Sequence, residues 1–191
     1  MEKITKIFLG SIVLVVVLGS IYFLVVSKSS VTSDTSAILP EGKIQIGGVV
    51  PLTGDAAAFG LPIQRAAIMA MNEINLAGGV NGQPFEIVWE DGKCDTKEAT
   101  AAVQKLITID EMKIILGGVC SSETLVMAPI TEGAKVILLS PSAPSPDITE
   151  AGDFVFRTAP SDAFGGRVAA EYAVKTWGSN KVAILTETKE Y

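Results

Sequence analysis

The sequence has no histidine and only two cysteines, and these shortages exclude several kinds of chemistry. Histidine is the most frequent general base and metal ligand in proteins, so its absence removes the usual centre of acid–base catalysis. Two cysteines alone supply too few ligands for a structural zinc site. There is also no P-loop, no G-x-G-x-x-G and no G-x-S-x-G motif. We therefore predict a protein that is not an enzyme, without catalytic residues, cofactor or metal.

Positive charge is also in short supply. The chain has 15 lysine and arginine residues against 21 aspartate and glutamate residues, which gives a formal net charge of −6 at pH 7. Proteins that bind nucleic acid usually carry a basic patch or stripe. Since the sequence has no basic cluster, we predict that nucleic acid is not a partner.

One long apolar segment lies near the N-terminus. Residues 7–26 are an uncharged run of 20 residues, long enough as a helix to cross a hydrocarbon core of about 30 Å. Lys3 and Lys6 precede it, which favours a cytoplasmic N-terminus. The alternative is a cleaved signal peptide, but the run lacks an A-x-A-like cleavage site. We expect residues 1–26 to anchor the protein in the cell membrane, with the remaining chain on the extracytoplasmic side.

The rest of the chain divides into a tether and a folded part. Residues 27–42 are rich in serine and threonine and read as a flexible tether. From residue 43 onward, apolar runs alternate with segments of helical periodicity. The strands are predicted at 44–52, 84–89, 113–118, 135–139, 154–157 and 181–186, and the helices at 59–76, 95–108, 122–132 and 164–177. This alternation predicts an α/β fold with a doubly wound, mostly parallel sheet.

Two hydroxyl-rich turns each follow a short predicted strand, at residues 120–122 and 140–142. In open α/β sheets, small ligands bind at the carboxyl ends of the strands. Ser121 and Ser122 open a predicted helix, whose unpaired N–H groups and dipole favour a bound carboxylate. The alternative is that one of these serines only caps the helix. The residues alone leave both interpretations open.

The two cysteines also follow predicted strands. Cys94 and Cys120 are therefore expected near the same edge of the sheet, where an extracytoplasmic location permits a disulfide. The spacing also allows two separate buried thiols, because connectivity cannot be read from sequence.

Five collinear segments in residues 43–191 carry a resemblance to a known family. They are IQIGGVVPLTGDAAAFG, INLAGGVNGQPFEIVWEDGKCDTKEA, GGVCSSET, LLSPSAPSPDIT and FRTAPSD. They resemble branched-chain amino-acid-binding proteins, the extracytoplasmic receptors of ABC importers with a type I periplasmic-binding fold. The resemblance implies two lobes that close on a ligand around a hinge. Residues 43–160 would be the first lobe, and residues 161–191 the crossover helix and first strand of an incomplete second lobe.

The resemblance also assigns roles to single residues. It implies a ligand site for carboxylate and ammonium groups at Phe59, Ser121, Ser142 and Ala143, next to Ser122, and a disulfide between Cys94 and Cys120. Two positions depart from the family pattern. Pro144 stands where a threonine is common and removes an N–H and a hydroxyl, and Phe59 lacks the hydroxyl of the usual tyrosine. We therefore expect a small polar ligand that is an amino acid, an amide or another carboxylate.

The resemblance implies a solute-binding component of an ABC importer for amino acids or related small polar molecules. Its partners would be the permease subunits in the membrane. Because members of the family continue through a second lobe, the chain is expected to be a fragment that stops after the first. The alternative function is an extracellular ligand-sensing module of a receptor or regulator, since this fold is also used for sensing.

Overall fold

A computed structural model describes residues 42–186 of the chain. The predicted anchor over residues 1–26 and all but the last residue of the predicted tether lie outside the described residues. Between residues 42 and 186, no helix is both long and apolar enough to span a membrane.

Within the described residues, five strands form one sheet in the order β2-β1-β3-β4-β5. The strands are β1 (Ile44–Val50), β2 (Phe85–Asp91), β3 (Ile114–Gly117), β4 (Ile137–Ser140) and β5 (Val155–Arg157). Every neighbouring pair is parallel. The helices are α1 (Ala57–Leu76), α2 (Thr96–Thr108), α3 (Ser121–Ala134) and α4 (Asp162–Lys175), with a short 3-10 helix at Pro146–Glu150. The predicted α/β fold with a parallel sheet is confirmed.

The direction of winding reverses at β1. The chain leaves β1 through α1 to β2 on one side, and then returns through α2 to β3 on the other side of β1. Right-handed crossovers place α1 on one face of the sheet and α2 and α3 on the opposite face. In open α/β sheets, ligands bind outside the carboxyl ends of the strands where the order reverses. In this sheet that place lies between β1 and β3.

The hydrophobic core lies between the sheet and the pair of helices α2 and α3. Its buried members are Val49, Ala99, Ala102, Val103, Leu106, Met112, Ile115, Met127, Ala128, Val136 and Leu138. Asp95 caps α2, because its carboxylate accepts the N–H groups of Lys97 and Glu98. Burying each large aliphatic side chain contributes about 1.5–3 kcal/mol. This core is what holds the strand ends of the candidate site in place.

The predicted strand over residues 181–186 is not formed, which corrects the sequence interpretation. The structure gives these residues no regular secondary structure. Val182, Ile184 and Leu185 expose 70, 83 and 100% of their surface. An extended segment becomes a stable strand only when a neighbour pairs with its N–H and C=O groups. No strand within the described residues pairs with this segment.

Candidate functional site

A cavity of about 400 Å³ opens at the carboxyl ends of β3 and β4, beside the start of α1. Its walls are formed by Phe59, Ile63, Val119, Cys120, Ser121, Ser142 and Pro144. Most of these side chains are apolar, and the two serines supply hydroxyl groups. A largely apolar wall with a few polar groups is typical of small-molecule sites. The cavity is large enough for a ligand of amino-acid size.

The first turn of α3 borders this cavity. Helix α3 begins at Ser121, and its N-cap is Cys120, so the interpretation of a serine as the cap is wrong. The N–H groups of Ser121 and Ser122 have no intrahelical acceptor, because they lie in the first helical turn. The helix dipole adds partial positive charge there. These N–H groups are the candidate donors for a carboxylate.

Two serine hydroxyls connect the turn after β3 to the turn after β4. Ser142 Oγ donates a hydrogen bond to the carbonyl of Val119 at 2.9 Å. Ser121 Oγ accepts the N–H of Ser145 at 3.2 Å. A hydroxyl has one proton, and Ser142 already donates its proton to the carbonyl of Val119. Ser121 is bonded as an acceptor and keeps its proton for an acceptor atom of a ligand.

The structure brings only part of the predicted site set to the cavity. Phe59, Ser121 and Ser142 line the walls, and Phe59 is 68% exposed. Ser122 is half-buried and is not among the lining residues. Ala143 is fully buried behind the wall, and its N–H donates to Ser140 Oγ at 3.0 Å. The binding roles of all five residues stay predictions.

Phe59 reaches the cavity because α1 packs closely against the end of β1. Its neighbour Gly60 is the buried residue of α1. A Cβ atom at Gly60 would overlap the carbonyl oxygen of Pro51. Glycine is therefore required for this approach, and the approach sets where Phe59 projects.

Pro144 lies in the cavity wall, at the position where the sequence departs from the family pattern. Its carbonyl accepts the N–H of Asp162 at 2.9 Å, which ties the turn after β4 to the start of α4. Proline has no N–H to offer a ligand. The wall is therefore apolar where a threonine would provide two hydrogen-bonding groups.

Cys94 and Cys120 form a disulfide, with 5.5 Å between their Cα atoms, as the family resemblance predicts. The bridge joins the loop after β2 to the N-cap of α3. In the chain-entropy model, closing a loop of this size stabilises the fold by about 3 kcal/mol. The two sulfur atoms lie near a carboxylate oxygen of Glu123, all within 4.8 Å. Because both sulfurs are in the bridge, they are not thiolate ligands for a metal ion.

Sequence reasoning missed Glu123, a fully buried residue behind the cavity wall. Its Oε1 accepts the N–H of Cys94 at 2.9 Å, and its Oε2 accepts those of Val119 at 2.9 Å and Cys120 at 3.1 Å. Burial raises the pKa of Glu123 in spite of these three bonds, and the charge of Asp91 raises it further. A glutamate three residues after the N-cap is a capping-box signal, which the cysteine at the cap position concealed.

A second carboxylate, Asp91 at the end of β2, organises the neighbouring loop. It accepts the N–H groups of Leu52 at 2.8 Å and Lys93 at 3.1 Å, together with the hydroxyl of Thr53. Partial burial by itself would raise the pKa of Asp91, but the hydrogen bonds together lower it. Asp91 therefore holds the loop after β1 as a charged acceptor.

This open α/β lobe, with a ligand-sized cavity where the strand order reverses, is typical of a ligand-binding protein. Residues 43–191 match the family described as periplasmic binding protein, and the chain belongs to that family. The family consists of substrate-binding proteins and not of enzymes. The predictions of a binding protein and of a non-enzyme are confirmed.

Individual relatives are binding proteins of similar fold and greater length. One relative is the leucine-, isoleucine-, valine-, threonine-, and alanine-binding protein of Pseudomonas aeruginosa, which is 37% identical to the chain over 150 residues. The matched segment covers 78% of the chain and 39% of the relative. The branched-chain amino acid transporter substrate binding protein LivJ from Streptococcus pneumoniae, in complex with isoleucine, is 31% identical with a TM-score of 0.67, over 72% of this chain and 39% of that one.

A further solved structure holds a different kind of ligand. It is a solute binding protein of an ABC transporter from Rhodopseudomonas palustris, in complex with 3,4-dihydroxybenzoic acid. It is 26% identical with a TM-score of 0.63, over 70% of this chain and 36% of that one. The chain thus spans about two fifths of the length of the relatives it matches.

Proposed function

We propose that the chain is the extracytoplasmic solute-binding component of an ABC importer for amino acids or related small polar molecules. The observation that carries the proposal is the cavity in which the first turn of α3 and the Ser121 hydroxyl face the same space as Phe59 and Ile63. A ligand carboxylate would accept hydrogen bonds at the α3 end. The apolar body of the ligand would contact the two hydrophobic side chains.

The described part of the cavity favours a carboxylate more than it favours an ammonium group. None of its lining residues is acidic, so this wall has no side-chain charge to pair with an ammonium. The Ser142 hydroxyl is committed to Val119, and Pro144 has no N–H. Isoleucine and 3,4-dihydroxybenzoic acid, which two of the relatives bind, share a carboxyl group on an apolar or aromatic body. An amino acid, its amide or another carboxylate is the proposed ligand class.

The proposal includes the membrane and the rest of the importer. Residues 1–26 would anchor the chain, and the permease subunits would be its partners. Residues 161–191 would begin a second lobe, as expected for relatives more than twice as long. Helix α4 has no buried residue, and its Phe164, Val168 and Tyr172 are each about half exposed, which leaves apolar surface for further chain.

Isothermal calorimetry on the full chain in detergent tests this function. The ligands are L-isoleucine, L-leucinamide, 3-methylvalerate and 3,4-dihydroxybenzoate at millimolar concentration. We expect saturable heat with at least one of them, and a roughly tenfold weaker affinity in Ser121→Ala, since one hydrogen bond to a charged group contributes about 1.5 kcal/mol. Ser122→Ala is the matched control, because it keeps the N–H of residue 122 and removes only the hydroxyl of a residue that does not line the cavity.

Silence with all four compounds would contradict the proposal. The genes beside this one give an independent test of the transport role. Permease and ATPase genes are expected there, whereas a neighbouring kinase or chemotaxis gene would favour a sensing module over an importer component.

A further inference from the structure

Glu123 connects two separate loops at the ligand-binding edge of the sheet. Its Oε1 holds the N–H of Cys94, in the loop after β2. Its Oε2 holds the N–H groups of Val119 and Cys120, in the loop after β3. Val119 and Cys120 are themselves part of the cavity wall. One side chain therefore sets the direction of the backbone on which the wall is built.

The fold reserves space for this carboxylate. A Cβ atom at Gly92 would overlap Glu123 Oε1, and a Cβ atom at Gly118 would overlap Glu123 Cβ. Two glycines in two different loops thus leave room for the same side chain. Burying a carboxyl group is costly unless its hydrogen bonds are made. Three N–H donors satisfy it here, and without it those donors would be left unpaired.

The disulfide joins the same two loops, but it acts through side chains, whereas Glu123 acts on backbone N–H groups. It connects the side chains of Cys94 and Cys120, which fixes the separation of the loops. Glu123 fixes the orientation of the peptide groups within them. Cys94 has a left-handed backbone with φ of 55°, which is uncommon for a residue other than glycine. Its N–H points at Glu123, and this bond favours the unusual conformation.

We infer that Glu123 is a positioning residue for the proposed ligand site, where it holds the loop into α3 so that the N–H groups of Ser121 and Ser122 are available to the ligand. The inference rests on the proposed function, and it adds a residue that does not itself line the cavity. It also predicts that the ionised carboxylate is the form that positions the site, because an ionised oxygen only accepts hydrogen bonds.

The surroundings of Glu123 give this role a distinctive pH dependence. Burial and the neighbouring charge of Asp91 raise the pKa of Glu123 above its ordinary 4.5. Lys93 in the same loop is exposed and pairs with Glu98 at 3.8 Å. A raised pKa means that the contribution of Glu123 to stability is complete below 4.5 and is lost as the pH rises through the raised pKa. The positioning of the loops has the opposite pH dependence. It requires the ionised carboxylate, so it is gained as the pH rises through the raised pKa.

NMR on the ¹⁵N-labelled full chain in detergent tests the network directly, between pH 4 and 8. The amide signals of Cys94, Val119 and Cys120 should shift together, with one midpoint above 4.5. Glu123→Gln should remove that common midpoint. Glu132→Gln is the matched control, because Glu132 accepts the N–H of Phe154 at 3.0 Å at the far end of the same helix. Separate midpoints, or a midpoint that survives in Glu123→Gln, would overturn the inference.

Calorimetry at pH 7 with L-isoleucine and 3,4-dihydroxybenzoate tests the effect on the site. Glu123→Gln should bind at least fivefold more weakly, and Glu123→Asp should recover part of the affinity. Binding by Glu123→Gln as tight as in the wild type would refute the positioning role and leave the proposed function intact. If the wild type binds neither these two compounds nor L-leucinamide nor 3-methylvalerate, the proposed function fails. In that case, hydrogen exchange at the Ser145 amide tests the role of Glu123 without a ligand, because this amide donates to Ser121 Oγ. Faster exchange in Glu123→Gln than in the wild type would support the positioning role, and equal exchange would refute it.

Discussion

Pro144 is the single residue that most restricts the hydrogen bonding of the cavity. It lines the wall, offers no N–H and adds an apolar ring. Pro144→Thr would add one N–H and one hydroxyl at this position. We expect L-isoleucine to bind about fivefold more tightly, since one net hydrogen bond contributes about 1 kcal/mol. Calorimetry with the wild type and the variant measures this.

The matched ligand for this experiment is 3-methylvalerate, which is isoleucine without its ammonium group. Its affinity should change less than that of isoleucine if the new groups serve the amino-acid head group. Equal changes for the two ligands would show that Pro144 affects only the shape of the wall.

Asp91 stabilises the loops around the site in a way that depends on pH. Its pKa is lowered below the ordinary 3.8 by hydrogen bonds that together outweigh burial. The contribution to stability is therefore present above 3.8 and is lost as the pH falls through the lowered pKa. We expect the melting temperature of Asp91→Asn to fall less than that of the wild type between pH 5 and pH 2.5. A steeper fall in the variant would contradict this assignment.

At the residue scale, the sequence predicted the parts of the site that depend on strand ends. Ser121 and Ser142 follow strands that end at the same edge, so their approach to one cavity could be anticipated. Glu123 could not be found in this way. Its role depends on N–H groups from Cys94, 29 positions away, and from its own loop. Local pattern carries no information about which distant donors a buried carboxylate will meet.

At the scale of elements, the close packing of α1 against β1 decides where Phe59 lies. Gly60→Ala should force α1 away from the Pro51 carbonyl and lower the free energy of unfolding by roughly 1–3 kcal/mol, the usual cost of overpacking. Gly165→Ala in α4 is the matched control. A Cβ at Gly165 meets no atom within 4 Å, so this change should stabilise α4 by up to about 1 kcal/mol.

Urea denaturation followed by circular dichroism measures both variants in the full chain. The ligand affinity of Gly60→Ala should also fall, because Phe59 would leave its place in the wall. Equal stability of Gly60→Ala and the wild type would mean that α1 shifts without cost, and that Gly60 does not control the position of Phe59.

Helices α2 and α3 and the paired strands could be anticipated from apolar periodicity, because their apolar residues pack in the core. Their ends differ from the predictions by a few residues, as for α2, which begins at Thr96 after its N-cap Asp95. Residues 181–186 have the same apolar pattern as the other strands but stay unpaired. Strand formation depends on a partner elsewhere in the chain, and periodicity does not report whether that partner exists.

At the scale of the whole molecule, the helices differ in how much of their surface is buried. The face covered by α2 and α3 has a continuous core that runs from Val49 to Leu138. Helix α4 has no buried residue, and its Tyr172 ring lies edge-on to Trp177, just beyond the end of the helix, with ring centroids 5.3 Å apart. Since the chain spans about two fifths of its relatives, this asymmetry supports the proposal that α4 belongs to a second lobe.

The disulfide restricts the conformations of the unfolded chain, because it closes the loop between Cys94 and Cys120. Cys94 and Cys120 are 26 positions apart, and loss of their bridge should lower the free energy of unfolding by about 3 kcal/mol. For a folded part of this size, we expect the melting temperature to fall by roughly 6–12 °C in a reducing agent. The double variant Cys94→Ser, Cys120→Ser should melt at this lower temperature with or without the reductant. A wild type that melts at the same temperature in both conditions would show that the bridge does not stabilise the fold. Because Glu123 holds the same loops through backbone N–H groups, the reduced protein should still show the common amide midpoint of Cys94, Val119 and Cys120.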